Sequence, residues 1–195
     1  MKNSINIILI CTTLFLVFCD KKQEPIIKIE GLSRDANLYI EEKINQLKGL
    51  ANESIIIQAI ETSNERNKDL TMAEIDSLDW EWIQNNSEDN SLIKELISNT
   101  CADHLKKFQT QYPEILEIFV MDNRGLIVGE SNITSDYLQA DEPKWSEVFG
   151  KAMIWYGGLE FDESTKTYGI QISVPVQNIG AVCATINLKN IKGVG

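Results

Sequence analysis

The spacing of apolar residues changes at Pro113, and that change constrains the fold more than any other feature of the chain. Before it, apolar side chains recur every three or four residues; after it, they fall in short runs between turn residues, alternating with polar ones in Thr167–Val176. Helical period first and strand period second is the order of an α+β protein, not of alternating βα units. Leu38, Ile40, Ile44, Leu47, Ala51, Ile55 and Ile60 predict one long helix from Ser33 to about Ile60, capped by Ser33 or Asp35. Thr62 to Leu70 reads as a polar loop. Thr71-Met72-Ala73-Glu74 has capping-box spacing, and the helix it starts carries Ile75, Leu78, Trp82 and Ile83 on one side. Ser91 to Phe108 predicts a further helix, with Leu92, Ile93, Leu96, Ile97, Cys101 and Leu105 as its apolar face.

Beyond Pro113, Ile115 to Met121 and Leu126 to Glu130 read as strands around the tight turn Asp122-Asn123-Arg124-Gly125. The turn could open a calcium loop, but the later acidic ligand positions and the closing glutamate are missing. Asn132 to Gly150 reads as a loop with a short helix. Ala152 to Glu160, Thr167 to Val176 and Ala181 to Leu188 complete a five-stranded antiparallel meander.

The N-terminus bears on location. Lys2 precedes a run from Ile5 to Phe18 that is apolar apart from Asn6, Thr12 and Thr13, the length of a signal-peptide core and short of a membrane span. Leu16-Val17-Phe18-Cys19, with a polar segment directly after it, resembles a bacterial lipobox in which Cys19 becomes the lipidated N-terminus; Phe18 stands where a small residue is usual. An uncleaved anchor or plain secretion are the other readings, and all three put the rest outside the cytoplasm. A lipoprotein would sit on the periplasmic side of the inner membrane or on the outer membrane. Residues 1–19 are thus read as the signal, 20–32 as a tether and 33–190 as one domain. No second apolar span follows, so a signal would need a separate membrane receptor.

The net charge of −11 becomes −12 when Lys2 leaves with residues 1–18, which contain no acid. A surface so acidic argues against nucleic acid and anionic head groups as partners. Cys101 and Cys183 remain after the signal cysteines, able to pair or to stay as buried thiols.

Enzyme motifs are thin. His104 is the only histidine and falls on the polar side of a helix, away from any candidate nucleophile. No metal-ligand spacing or cofactor motif occurs, so neither metal nor cofactor is expected. Binding residues are easier to nominate. Tyr137, Asp141 and Trp145 are four apart, so helical turns would align two aromatic walls with a carboxylate. They read equally as sheet cover with Asp136 and Asp141 as caps. Lys144 can meet a ligand carboxylate or solvent. In Thr167–Val176, Tyr168, Gln171 and Ser173 offer polar groups to a concave face; Tyr168 can instead pack and Gln171 face water. Asp162 and Glu163 mark a loop tip that could touch ligand or be a solvated turn.

Thr134-Ser135-Asp136-Tyr137, Ala140-Asp141-Glu142-Pro143-Lys144-Trp145, Asp162-Glu163-Ser164-Thr165 and Val174-Pro175-Val176 resemble the extracytoplasmic Cache (PDC-type) sensor domains, which are PAS-like. The resemblance covers Ile115 to Leu188, and the helical half in architecture alone. It implies a PAS-like sheet under a long N-terminal helix, no catalysis, and an amino acid, amine or carboxylate held between the sheet and the loops after the second strand. The arginine-plus-tryptophan motif of amino-acid-binding members is absent, which leaves the pocket's polarity open. The alternative is an envelope protein-interaction lipoprotein whose Cache fold binds no ligand.

Overall fold

The computed structural model describes residues 27–162 and 167–189. The signal segment, Cys19 and Glu163 lie outside the described residues. Among those described, no helix is long and apolar enough to cross a membrane.

The expected long first helix is two: α1 (Arg34–Ala51) and α2 (Ser54–Asn67). Ser33 caps α1 by accepting from the Ala36 N–H at 3.2 Å. At the other end the Asn52 side chain donates to the Lys48 carbonyl at 2.7 Å and its N–H returns to Gly49, closing the helix. Buried positions run Ile40, Ile44, Leu47, Ala51 and restart at Ile56, Ile60, Ser63, Asn67, one residue later than an unbroken helix gives. That single-residue slip is nearly invisible in the sequence. α2 also runs through the stretch expected to be loop.

α3 (Met72–Gln84) starts at the predicted capping box: Thr71 Oγ1 accepts from the Glu74 N–H, and Glu74 accepts from the Thr71 N–H at 2.7 Å. The third expected helix is also divided, into α4 (Ser91–Leu96) and α5 (Thr100–Gln111). Asn99 causes the division, since its side chain accepts from the Ala102 N–H and donates to the Val128 carbonyl, both at 2.8 Å. Residues 27–32, read as tether, pack Ile27, Ile29 and Leu32 on the core.

The strands are β1 (Ile115–Met121), β2 (Ile127–Glu130), β3 (Trp155–Asp162), β4 (Thr167–Val176) and β5 (Gly180–Asn187), after a four-residue helix α6 (Pro143–Ser146). All pairs are antiparallel and the order is β2-β1-β5-β4-β3. This is not the simple meander expected: first and last strands are neighbours, and β2 and β3 lie at opposite edges. The chain from β2 to β3 must therefore cross the sheet, and residues 131–154 do so over one face.

Each face has its own core. Ile118, Val120, Ile170, Ile172, Val174, Val182 and Ala184 meet α1, α2 and α5 in a wholly apolar layer. Phe119, Met121, Ile127, Ala181 and Cys183 face Ile75 and Trp82 of α3, Ile93 and Leu96 of α4, and Tyr137 and Val148 of the crossover. Cys101 and Cys183 are free, buried thiols in opposite layers. Burial pushes both up to about 12.

Asp122 joins the layers. Its carboxylate is fully buried; one oxygen accepts from the Arg124 and Leu126 N–H groups at 2.8 and 3.0 Å. The other accepts from Ser63 Oγ at 3.0 Å and Asn67 Nδ2 at 2.9 Å on α2. The turn is thus a hairpin turn with both carboxylate oxygens occupied, and Gly125 supplies its positive φ of 75°. Asp122→Ala strands four donors and is expected to lower the unfolding free energy by about 3 kcal/mol. Asp122→Asn, which keeps an acceptor, should lose less, as urea unfolding midpoints at constant m will show.

Candidate functional site

The face opposite α1 is the polar one. In the register Glu117 pairs with Thr185 and Thr185 with Gln171; one row on, Phe119 pairs with Cys183 and Cys183 with Ser173. Glu130 pairs with Phe119 from β2 and Trp155 with Ser173 from β3. Paired residues share a face, so Glu130, Glu117, Thr185, Gln171 and Ser173 all point at the layer beneath the crossover. The alternation of β1 marks this in the sequence: Glu117 sits at an inward position two residues before Phe119.

The crossover adds its own polar groups. The Thr134 N–H donates to Glu130 Oε2 at 3.0 Å, and the Thr134 hydroxyl donates to the Asp136 carbonyl at 2.9 Å. Gln139 Nε2 donates to that carbonyl and to Asp136 Oδ1, each at 2.9 Å. α3 holds the segment in place. Trp82 Nε1 and Asn86 Nδ2 donate to the Thr134 carbonyl at 3.0 and 2.8 Å, and one Asp79 oxygen accepts from the Tyr137 and Leu138 N–H groups.

The nominated residues do not gather in one place. Residues 137–141 are not helical, because Leu138 bridges to Leu126 and the Gln139 N–H donates to the Gly125 carbonyl at 2.8 Å. The expected alignment of Tyr137, Asp141 and Trp145 is therefore absent. Tyr137 is buried and stacked on Trp82, centroids 5.6 Å apart. Asp141 is exposed. Trp145 is half-buried, stacks on Phe149 at 4.9 Å and donates to the Asp122 carbonyl at 3.1 Å, a packing role. Tyr168 faces the α1 side, edge-on to Phe161 at 5.1 Å.

Lys144, Gln171 and Ser173 do line the polar layer. Lys144 is only 7% exposed. Its Nζ lies 3.0 Å from Glu142 Oε2 and 5.6 Å from the centre of the Phe119 ring. Ser173 Oγ donates to the Val182 carbonyl at 3.3 Å. Gln171, with Thr185, Gly169, Glu160, Phe161 and Leu116, borders a depression of about 130 Å³ at the open end of the face.

Glu117, Glu130 and Gln139 were not nominated from the sequence and are the most unusual groups here. Burial raises the Glu117 carboxyl, against the nearby Lys144 charge and the Thr185 hydroxyl. Burial pushes Glu130 up from 4.5 to about 7, outweighing its Thr134 donors. Glu130 Oε1 and Gln139 Oε1 are buried without any hydrogen-bond partner.

A larger cavity of about 400 Å³ lies on the other side, between α2, α5 and β2, bordered by Ile55, Thr62, Arg66, Leu96 and Cys101. Its rim is closed by the Arg66–Glu95 ion pair at 2.6 Å, and none of its lining side chains has a buried polar atom without a partner. Volume favours this groove; unspent hydrogen-bonding capacity favours the sheet face, and recognition chemistry depends on the latter.

No family model and no curated protein matches the chain. Among solved structures it is similar to the sensor domain of the Vibrio cholerae histidine kinase DctB, with 16% identity, a TM-score of 0.35, and coverage of 73% of this chain and 58% of that one. It is also similar to the ligand-binding domain of the Campylobacter jejuni chemoreceptor Tlp3 in complex with L-valine, with 17% identity, a TM-score of 0.40, and coverage of 83% and 68%. The ligand-binding domain of Mlp24 with asparagine is similar at 17% identity and a TM-score of 0.31, covering 74% of this chain and 60% of that one.

Glu130 yields a pH signature. The folded state holds its proton more tightly than the unfolded chain, so stability is greatest below the unfolded pKa and falls as pH rises towards about 7. Glu130→Gln, shaped like the protonated form, should remove that fall. Urea unfolding should show the variant more stable by up to about 3 kcal/mol at about pH 8, converging with wild type near about pH 4. With helices first, then five antiparallel strands in the order β2-β1-β5-β4-β3, α1 on one face and a polar crossover on the other, the chain is an α+β protein built on one antiparallel sheet.

Proposed function

We propose that this chain is an extracytoplasmic sensor that binds a small polar metabolite between its sheet and the crossover segment and catalyses nothing. The observation that carries this reading is the polar layer itself. A layer that brings Glu117, Glu130 and Asp136 together with Lys144 and Lys106, and leaves two buried acceptor oxygens without donors, is a poor solution for stability alone. Such a layer makes sense as half of a recognition surface that a ligand completes. Lys144, Gln171 and Ser173 remain as site residues. Tyr137 and Trp145 act as packing around it, and Tyr168, on the α1 side of the sheet, and Asp141 lie outside it.

In this proposal the lipid-modified Cys19 tethers the domain to the membrane surface, and the ligand-bound form is read by a separate membrane receptor. Binding favours the conformer whose crossover is drawn onto the sheet, and a partner discriminates the two populations. A second reading, a protein-interaction lipoprotein, is favoured by Met72, Trp80 and Ile83, exposed on α3 at 57%, 65% and 47%.

Residues 20–195 should be screened by thermal shift against amino acids, amines, short carboxylates and nucleobase derivatives. A ligand at about 100 times its Kd stabilises the native state by about 2.7 kcal/mol, a shift of several degrees. No shift with any class transfers the assignment to the interaction reading. For the anchor, a radiolabelled fatty acid should be incorporated by the full chain and not by Cys19→Ser; equal labelling of both removes the lipoprotein assignment.

A further inference from the structure

The cleft between α2, α5 and β2 holds about 400 Å³, and the residues that α2 turns towards it explain why. Ile55, Ala59, Thr62, Ser63 and Arg66 recur at helical spacing and share one face. Between Ile55 and Arg66 that face carries only an alanine, a threonine and a serine, too little volume to fill the gap to α5. Gly129 sets the opposite wall. A Cβ there would come within 2.9 Å of the Cys101 Cβ, so glycine is what lets the start of α5 lie against β2. Asn99 holds the same helix end through the Val128 carbonyl and the Ala102 N–H. α5 is thus pinned to the strand, and the small side chains of α2 leave the space open.

The lining defines what fits. Ile55, Ala59, Leu96, Cys101 and Val128 form an apolar floor. The polar groups above it are already spent. The Thr62 hydroxyl donates to the Gln58 carbonyl at 2.8 Å. Ser63 Oγ donates to Asp122 and accepts from Asn67 Nδ2, both at 3.0 Å. Arg66 and Glu95, the charged residues that border the cleft, are paired with each other at 2.6 Å. An ionic ligand therefore meets no free counter-charge, and leaving its charge unpaired on an apolar floor is costly. An apolar ligand displaces water that the floor cannot hydrogen-bond and asks for no partner in return. A dry apolar cavity of about 150 Å³ accepts benzene, so this one has room for a bicyclic or branched body. Entry is cheap, because the Arg66 and Glu95 side chains are 43% and 54% exposed and such a pair contributes little.

We propose that this cleft is a second binding site, apart from the polar layer, for a compact uncharged apolar molecule with at most one hydroxyl or carbonyl group. It does not rest on the sensor reading, since it shares no residue with the polar layer. Ser63 borders the cleft with the hydroxyl that donates to Asp122, so an occupant lies against the junction of helix and hairpin.

The test titrates residues 20–195 with three probes of one shape: naphthalene methanol, uncharged; naphthalene methylamine, a cation; and naphthoate, an anion. Calorimetry gives the affinities, and backbone amide NMR shifts locate the probe. The alcohol should bind at least about tenfold more tightly than either ion and shift Ala59, Cys101 and Val128. Ala59→Leu, on a half-buried helix position, fills the floor. It should weaken the alcohol at least about tenfold while the melting temperature holds or rises, a combination that misfolding does not produce. Trp80→Ala, which removes the most exposed large apolar side chain, should leave the affinity unchanged. Tightest binding by either ion overturns the uncharged class. Shifts away from the cleft, full affinity in Ala59→Leu, loss in Trp80→Ala, or inertness of all three probes overturns the site. A wild-type dimer that Ala59→Leu dissociates assigns the cleft to a second copy of the chain and overturns it as well.

Discussion

The Asp122 carboxylate is the point on which the two halves of the molecule are registered. It sits where β1 ends and the hairpin begins, a position where a polar side chain can turn back on its own backbone. One oxygen does that, fixing the turn through Arg124 and Leu126. The other reaches out to Ser63 and Asn67, one helical turn apart on α2. The main-chain carbonyl of the same residue accepts from Trp145, just before the end of α6. Helix, hairpin and crossover therefore share one residue. Arg124 reinforces the junction by donating to the Asn67 and Leu70 carbonyls at the end of α2. Displacing any of the three leaves buried donors unpaired.

The strand order explains why one face of the sheet is apolar and the other is not. With β1 and β5 central, α1 and α2 pack across them and bury a mainly aliphatic layer, with the polar Lys43, Ser63 and Asn67 at its margins. The second face is reached by a crossover that must carry its own backbone polar groups into the interior. Asp79, Thr134, Asp136 and Gln139 satisfy those groups one by one. Glu130 adds one more, the Thr134 N–H, with a single oxygen, and Glu117 satisfies none. They are carboxylates at strand positions where an aliphatic residue would pack, and burial holds both above the usual range. Sequences tend to break the rules of stable packing where function resides.

The fold class was legible because the period change at Pro113 does not depend on tertiary structure. The capping box at Thr71–Glu74 was legible for the same reason: its two partners are three residues apart. What failed was whatever depended on phase or on distant partners. The split at Asn52 shifts the buried stripe by one residue, and Asn99 breaks a helix through its bond to Val128 far along the chain. The site shows the same division. Lys144, Gln171 and Ser173 were found from local pattern and line the layer. Tyr137 could be read either way, because aromatic walls of a pocket and aromatic members of a core look identical until Trp82 is placed beside it. Glu117 carried a readable signal, an acid in phase with Phe119 in a strand buried on both faces. Gln139 carried none, since only the two bonds to Asp136 reveal which of its atoms is unspent.

The same connections govern how a ligand would be felt elsewhere. Glu130 and Gln139 are joined through Thr134 and Asp136 by one chain of bonds at the start of the crossover. Six residues past Gln139, Trp145 holds the crossover to Asp122, with Lys144 beside it in the layer. Lys144 thus lies next to the bond that ties α6 to the hairpin. Through the Asp122 carboxylate that hairpin is tied to α2, whose far side lies on the opposite face of the sheet. The polar layer and the α2 surface are therefore separated by the full thickness of the sheet yet connected by two side chains, Trp145 and Asp122.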